Sequence, residues 1–325
     1  MATSATLPAR PAPGARGFFS RLTNGDEIAR LITLAFASTI LLVTLALIWQ
    51  LWTHSGPARA KFGLGFLTTT SWDPVNGDFG ALPFIYGTVI TSAIALLVSV
   101  PLGVGAAIFL SELAPQGISS TFTFFIELLA AVPSVIYGLL AIFTLVPLMR
   151  EYIEPALKKT LGFLPIFSGT IFGVGYLTAG AILAVMTLPF IISISREALL
   201  EVPVEQREAA LALGATRWES TWQAVVPWAR LGIFGSIFLG LARALGETMA
   251  VTMVIGNDPN IHASLFAPGY TIAAAIANQF SEATGDLYLS SLVALGLVLF
   301  LLTIVINALA RLLIIATTRR GSSHP

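Results

Sequence analysis

Cysteine is absent from the 325-residue chain, which excludes disulfides, thiolate metal sites and cysteine nucleophiles. Charge is scarce: only 10% of residues are Asp, Glu, Lys or Arg, against about 25% in an ordinary soluble domain. The formal net charge is zero, so nothing points to nucleic acid as a partner. His54, His262 and His324 are too scattered to form a ligand cluster and read as loop residues. The only lysines are Lys61, Lys158 and Lys159, and none follows a glycine. A phosphate-cradling P-loop needs Gly-Lys followed by Ser or Thr, so no nucleotide site is legible. If ATP drives this protein, a partner must bind it. No Ser/His/Asp set, paired-carboxylate cleft or metal-spaced cluster stands out either. What remains is apolar: 56% hydrophobic residues and a mean hydropathy of +0.85, the composition of a polytopic membrane protein.

Apolar runs of about 20 residues are long enough to cross a bilayer as helix. Six are present, near 31–51, 84–110, 122–149, 168–195, 231–255 and 288–316, which predicts an all-α membrane protein of six transmembrane helices. Pro101, Pro133 and Pro189 fall within them, tolerable where neighbouring helices satisfy the freed carbonyls. The first run is too long for a signal-peptide core and has no small-residue cleavage site after it, so it reads as a retained span. Residues 1–28 read as a disordered cytoplasmic tail, 29–317 as the membrane domain and 318–325 as a second cytoplasmic tail. Basic residues set the orientation. With the N-terminus inside, 11 fall on the cytoplasmic side: Arg10, Arg16, Arg21, Arg30, Arg196, Arg207, Arg217, Arg230, Arg311, Arg319 and Arg320. The other side holds 5, namely Arg59, Lys61, Arg150, Lys158 and Lys159. Both termini are therefore expected in the cytoplasm of a bacterial inner membrane.

Two external segments are more than tethers. Residues 62–84 are rich in turn formers, and 269–286 reads as a short helix at the outer surface. Either could dock an external partner or pack over the bundle. On the inner side, residues 201–227 read as helix, turn, helix. Helix formers from Glu205 to Leu211 end at Gly214, a natural residue for a left-handed helix stop. Thr216 and Glu219 then have capping-box spacing. Ala209, Ala210 and Leu213 form an apolar surface that must meet either a partner subunit or the protein's own bundle.

Besides Arg311 near the inner end of the last run, three acidic or basic residues fall inside the apolar runs. Arg243 and Glu247 are four residues apart, with Gly232, Ser236 and Gly240 on the same helical stripe; small residues there suggest a face turned toward other helices or a cavity. A charge at mid-bilayer costs about 2.5–3.5 kcal/mol on insertion scales, so such residues are usually paired and often functional. One reading is a local ion pair that pins the bundle. The other places Arg243 in a translocation path as an anion attractor, with Glu247 holding it and moderating its grip. Glu127, six residues into the third run, reads as an interfacial carboxylate or as a contact of Arg243 or the inner loop.

The inner loop carries a resemblance. "EAALALGATRWESTWQAVVP" resembles the EAA loop of ABC importer permeases, with Glu208, Ala209, Ala210, Gly214 and Pro227 at the matching positions. Ala224 and Val226 depart mildly, standing where Ile and Leu are usual. "FGALPFIYGTVITS", "IELLAAVPSVIYGLLA" and "RALGETMAVTMVIGN" look like the PstC-type permease family of phosphate importers. The resemblance implies a type I, MetI-like permease bundle whose inner loop is the coupling helix of an ATPase. It also implies a PstA-like second permease, a PstB-like ATPase dimer that binds ATP and magnesium, a PstS-like external phosphate-binding protein, and no cofactor in this chain. The expected function is inward phosphate movement by alternating access. The alternatives are another oxyanion, such as sulfate or molybdate, carried by the same machinery, and an ion-coupled secondary transporter with Arg243 and Glu247 as a proton relay.

Overall fold

The computed structural model describes the backbone of residues 26–321 and the side-chain surroundings of residues 29–312. The expected N-terminal tail lies, as far as residue 25, outside the described residues, as does the chain beyond Gly321. Helix α1 spans Asp26–His54, and the segment up to Thr53 forms a unit of its own. It is exposed almost throughout. Thr33, Thr39 and Thr44 return their hydroxyls to carbonyls four residues back at 2.8–2.9 Å, which hides polar groups on an apolar rod.

The second unit begins at His54. Helix α2 (Gly56–Phe62) leads to a two-residue hairpin, β1 (Trp72–Asp73) with β2 (Asp78–Phe79). Then come α3 (Leu82–Ile108, continued by a wide turn to Leu113), α4 (Gln116–Ala130), α5 (Ser134–Leu161), α6 (Tyr176–Leu200), α7 (Val204–Ala212) and α8 (Arg217–Gly246). The chain closes with α9 (Met249–Val254), α10 (Ile272–Gln279) and α11 (Asp286–Gly321). Among the described residues, six helices are long and apolar enough to cross a membrane: α1, α3, α5, α6, α8 and α11.

Two spans differ from the sequence expectation. The third runs over 134–161 rather than 122–149. Pro133 has no N–H to continue a helix and biases Val132 away from helical geometry, so the apolar run is cut in two and α4 becomes a separate helix. The fifth runs over 217–246 rather than 231–255. It starts early because the capping box forms: Glu219 N–H donates to Thr216 Oγ1 at 3.3 Å, and Thr216 N–H donates to Glu219 Oε2 at 2.8 Å. Pro227, expected as the end of a loop, therefore lies within the helix. The wide π-type turn over Thr221–Val225 accommodates its missing donor. The helix stops at Gly246, and Glu247 adopts extended backbone (φ −68°, ψ 128°).

Helix α6 is the hub. A Cβ added to Gly180 would lie 2.5 Å from Ile94 of α3, and one added to Gly103 would lie 2.8 Å from Ile191 of α6. From α8, a Cβ on Gly232 would lie 2.3 Å from Ala198, and one on Gly240 3.1 Å from Ile191. Ser195 and Ser236 share a buried hydrogen bond of 2.7 Å across the α6–α8 seam. The small-residue stripe of α8 thus faces another helix, as the sequence suggested, and close backbone approach is what small residues permit in membranes. The core fills around Tyr176, Met186 and Leu183 of α6, with Ala250, Val251 and Val254 of α9 packed against them.

The end of this unit opposite α7 is capped by its own loops. Trp72 packs edge-on against Phe79 and Phe84, at 4.8 and 4.7 Å between ring centroids, and Phe79 stacks on Tyr288 of α11 at 5.3 Å. Trp72 Nε1 donates to Gln279 Oε1 of α10 at 2.8 Å, and Tyr288 donates to the same oxygen at 2.9 Å. In the hairpin turn, the Asp73 carboxylate accepts from the Asn76 side chain and from the Asn76 and Val75 amides. These bonds hold it below the usual carboxylate range. Helix α10, expected at the outer surface, instead buries Ile272, Ala273, Ala274 and Ala275; its Ile272 N–H donates to Thr88 of α3 at 3.0 Å. One face of α10 therefore packs over the bundle. The seam between α3 and this cap is tight: a Cβ on Gly87 would meet the Tyr270 carbonyl oxygen at 2.0 Å. Because the obstacle is backbone, Gly87→Ala is expected to cost about 3 kcal/mol or more, visible as a lower unfolding midpoint in detergent.

Candidate functional site

Arg243 sits in the last turn of α8, directly before the helix breaks. It is not four residues along a helix from Glu247, because Glu247 lies outside the helix. No ion pair joins the two; among the described residues the ion pairs within 4.0 Å are Arg196–Glu197, Arg207–Glu112 and His262–Asp258. The expected Arg243–Glu247 pairing is therefore corrected: the broken helix removes the shared face on which it depended. Instead the Arg243 guanidinium lies over the ring of Phe190 on α6, 4.4 Å from its centroid. Tyr137 of α5 is within electrostatic reach, and its hydroxyl is committed to the Leu129 carbonyl of α4 at 2.8 Å. The Nε of Arg243 is buried without a hydrogen-bond partner. A buried donor without an acceptor is costly, and an aromatic face offsets a cation without neutralising it. The arrangement leaves a half-buried positive charge without an ion-pair partner within 4.0 Å.

The break beside it is built by the chain on both sides. Thr248 starts α9, which runs for one and a half turns before Gly256 and Asn257 take left-handed backbone (φ 91° and 56°). Asn257 Nδ2 donates to the Thr252 carbonyl at 3.0 Å, closing α9, and its Oδ1 is buried without a partner. The end of α9 is held by two backbone bonds, from Gly269 N–H to Ile255 O at 2.9 Å and from Gly175 N–H, at the start of α6, to Val254 O at 3.0 Å. Discontinuous helices of this kind expose backbone polar groups at membrane depth only where protein or a cavity surrounds them. Sequence reasoning missed the break; Gly246 and the polar Thr248 were its only local signals.

Glu127 is likewise displaced from expectation. It lies on α4 rather than inside a span, and it lines a small cavity of about 20 Å³ with Thr123, Ser193, Arg196 and Glu197. That volume suits a single water. Its surroundings are thus the end of α6 near α7, not Arg243.

Helix α7 carries the sequence signature. Glu208 and Ala209 are exposed, Ala210 is half-buried, and Leu213 is 91% exposed. The stop is a Schellman motif: Ala215 N–H donates to Ala210 O at 3.2 Å and Gly214 N–H to Leu211 O at 3.0 Å, with Gly214 at φ 90°. The helix has no buried residue of its own. The residue that ties it down is one the motif does not mark. Arg207 makes a two-pronged pair with Glu112 (Nη2–Oε1 2.8 Å, Nε–Oε2 3.1 Å) and donates to the Leu199 carbonyl at 2.7 Å and to the Val202 carbonyl. No sequence signal pairs Arg207 with Glu112, 95 positions away.

Residues 99–317 match the family described as binding-protein-dependent transport system inner membrane component. The phosphate transport system permease protein PstC of Mesorhizobium japonicum is 48% identical over 299 residues, covering 91% of each chain. That of Xylella fastidiosa is 43% identical over 324 residues, covering 98% of this chain and 99% of the relative. A crystal structure of a bacterial ABC transporter involved in the import of the acidic polysaccharide alginate shares the fold, with a TM-score of 0.57 at 15% identity over 90% of this chain and 98% of that one. The chain belongs to the binding-protein-dependent ABC transport permeases, within the PstC-type family, and is a multi-pass membrane transport subunit.

Proposed function

We infer that this chain is the permease subunit of an ATP-driven importer of inorganic phosphate, with Arg243 at the translocation path and α7 as the coupling helix. The observation that carries the path assignment is the half-buried Arg243 guanidinium, seated on Phe190 rather than on a carboxylate. A guanidinium offers a planar fork that matches phosphate oxygens. The lone positive charge draws an anion in, and a single arginine without further cations keeps release feasible. Glu247, half-exposed in the unwound segment beside it, supplies negative charge near the path without quenching Arg243. The exposed surface of α7, with Glu208, Ala209, Ala210 and the Gly214 stop, is where an ATPase docks. ATP and magnesium belong to that partner; this chain has no recognisable Walker sequence.

The identities above 40% to phosphate transport permeases support phosphate over sulfate or molybdate. On the same reading, the complex contains a PstA-like second permease, a PstB-like ATPase dimer and a PstS-like external binding protein, with both termini in the cytoplasm. Extracting the tagged protein gently from its native membrane and identifying its companions by mass spectrometry tests this assembly. A second permease and an ATPase are expected; a chain that purifies alone would contradict it. Phe190→Leu keeps bulk but removes the π face. A cation–π contact at a half-exposed site is worth about 0.5–1 kcal/mol, so the half-saturating phosphate concentration for uptake is expected to shift roughly two- to fivefold while the assembled complex remains intact.

A further inference from the structure

The geometry points to Arg207 as the positioning residue that makes α7 move as one piece with α3 and α6. This rests on the reading of α7 as the coupling helix and goes beyond it, because Arg207 is not one of the motif positions Glu208, Ala209, Ala210 and Gly214. Three observations carry it. First, no apolar residue of α7 is fully buried, so packing alone does not fix it to the bundle. Second, a cavity of about 270 Å³ lies between it and the start of α8, lined by Glu112, Arg207, Leu211, Arg217 and Thr221 among others; a push on α7 therefore meets little solid packing on that side. Third, the Arg207 guanidinium ties α7 to two other elements at once, through one side-chain carboxylate and two backbone carbonyls. It takes both oxygens of Glu112, in the wide turn that ends α3, and the carbonyls of Leu199 and Val202 at the end of α6.

The chemistry suits a mechanical joint. Carbonyls at a helix C-terminus have no intrahelical partner and attract positive charge. The Glu112 side chain is 9% exposed and that of Arg207 21%, so water screens the pair less than it would a surface bridge. A two-pronged carboxylate–guanidinium pair resists both rotation and shear. An ammonium could not reproduce that fork. With the joint intact, displacement of α7 tilts α3 and α6 together; without it, α7 can follow the ATPase while the spans stay behind.

The absence of cysteine from this chain permits a direct test. A Glu112→Cys/Arg207→Cys variant is assembled with its partner subunits, those freed of reactive cysteines, and reconstituted in liposomes. Phosphate moved per ATP hydrolysed is measured before and after cross-linking with a short bis-maleimide. The expected result is that ATP hydrolysis continues and the ratio falls by roughly tenfold or more, and that the cross-link recovers most of it. A ratio equal to wild type before cross-linking would overturn the proposal. So would a loss that the cross-link does not recover, including one in which the ATPase no longer binds, since the pair would then serve only the folding of the loop. Wild-type complex that hydrolyses ATP but moves no phosphate would instead overturn the transport reading itself.

Discussion

Arg243→Gln abolishes ATP-driven phosphate uptake while the complex still assembles. Glutamine keeps a polar group of moderate size but removes the charge and the fork. The guanidinium is not part of an ion pair, so its loss leaves no carboxylate stranded and the bundle has no reason to collapse. What disappears is the charge that offsets an anion's desolvation, together with the guanidinium's planar fork. A hydrogen bond to a charged group is worth about 1.5–3 kcal/mol, or roughly 10- to 150-fold in binding, and the lost field adds to it. Arg243→Lys restores charge but not the planar fork, and recovers part of the uptake at most. Uptake counted in reconstituted liposomes, alongside the yield of intact complex, checks both variants. Wild-type uptake by the glutamine variant would remove Arg243 from the path.

Gly214→Pro disconnects the ATPase. Proline fixes φ near −65°, whereas Gly214 stands at φ 90°. It also deletes the N–H that donates to Leu211 O. The Schellman stop cannot form, and the chain cannot turn to place Thr216 as the cap of α8. The backbone conflict alone is worth about 3 kcal/mol or more, concentrated in a helix with no buried residue to resist it. The expected outcome is loss of the ATPase subunit on purification, with the membrane-embedded part still folded. Gly214→Ala separates conformation from space: nothing lies within 4 Å of an added Cβ, so only the left-handed backbone opposes it, at roughly 1 kcal/mol. Its complex is expected to be weakened but recoverable. Unchanged ATPase binding in the proline variant would refute the coupling assignment.

Much of this architecture is legible in the residues. The apolar runs mark six spans because bilayer thickness sets their length, and the Gly214 stop and the Thr216–Glu219 box are local signals read without tertiary context. The failures have physical causes. Hydropathy does not register a break when both sides are equally apolar, so the run through Gly246 and Glu247 read as one helix and produced an ion pair that the structure lacks. Pro133 reads from the sequence as a tolerable kink, yet it separates α4 from α5 and takes Glu127 out of the third span. Tertiary partners were invisible: Phe190 beneath Arg243 and Glu112 beside Arg207 each come from a distant part of the chain, and nothing in the local pattern singles out either.

The central claim is that this subunit passes phosphate inward when a partner hydrolyses ATP. Its most direct test is uptake of radiolabelled phosphate by proteoliposomes holding the permease pair and ATPase, with external binding protein and ATP on the ATPase side. The account predicts accumulation that requires ATP, persists when the proton gradient is dissipated, and withstands excess sulfate or molybdate. Phosphate uptake that needs no ATP and collapses with the proton gradient, or transport of a different oxyanion with none of phosphate, would contradict it.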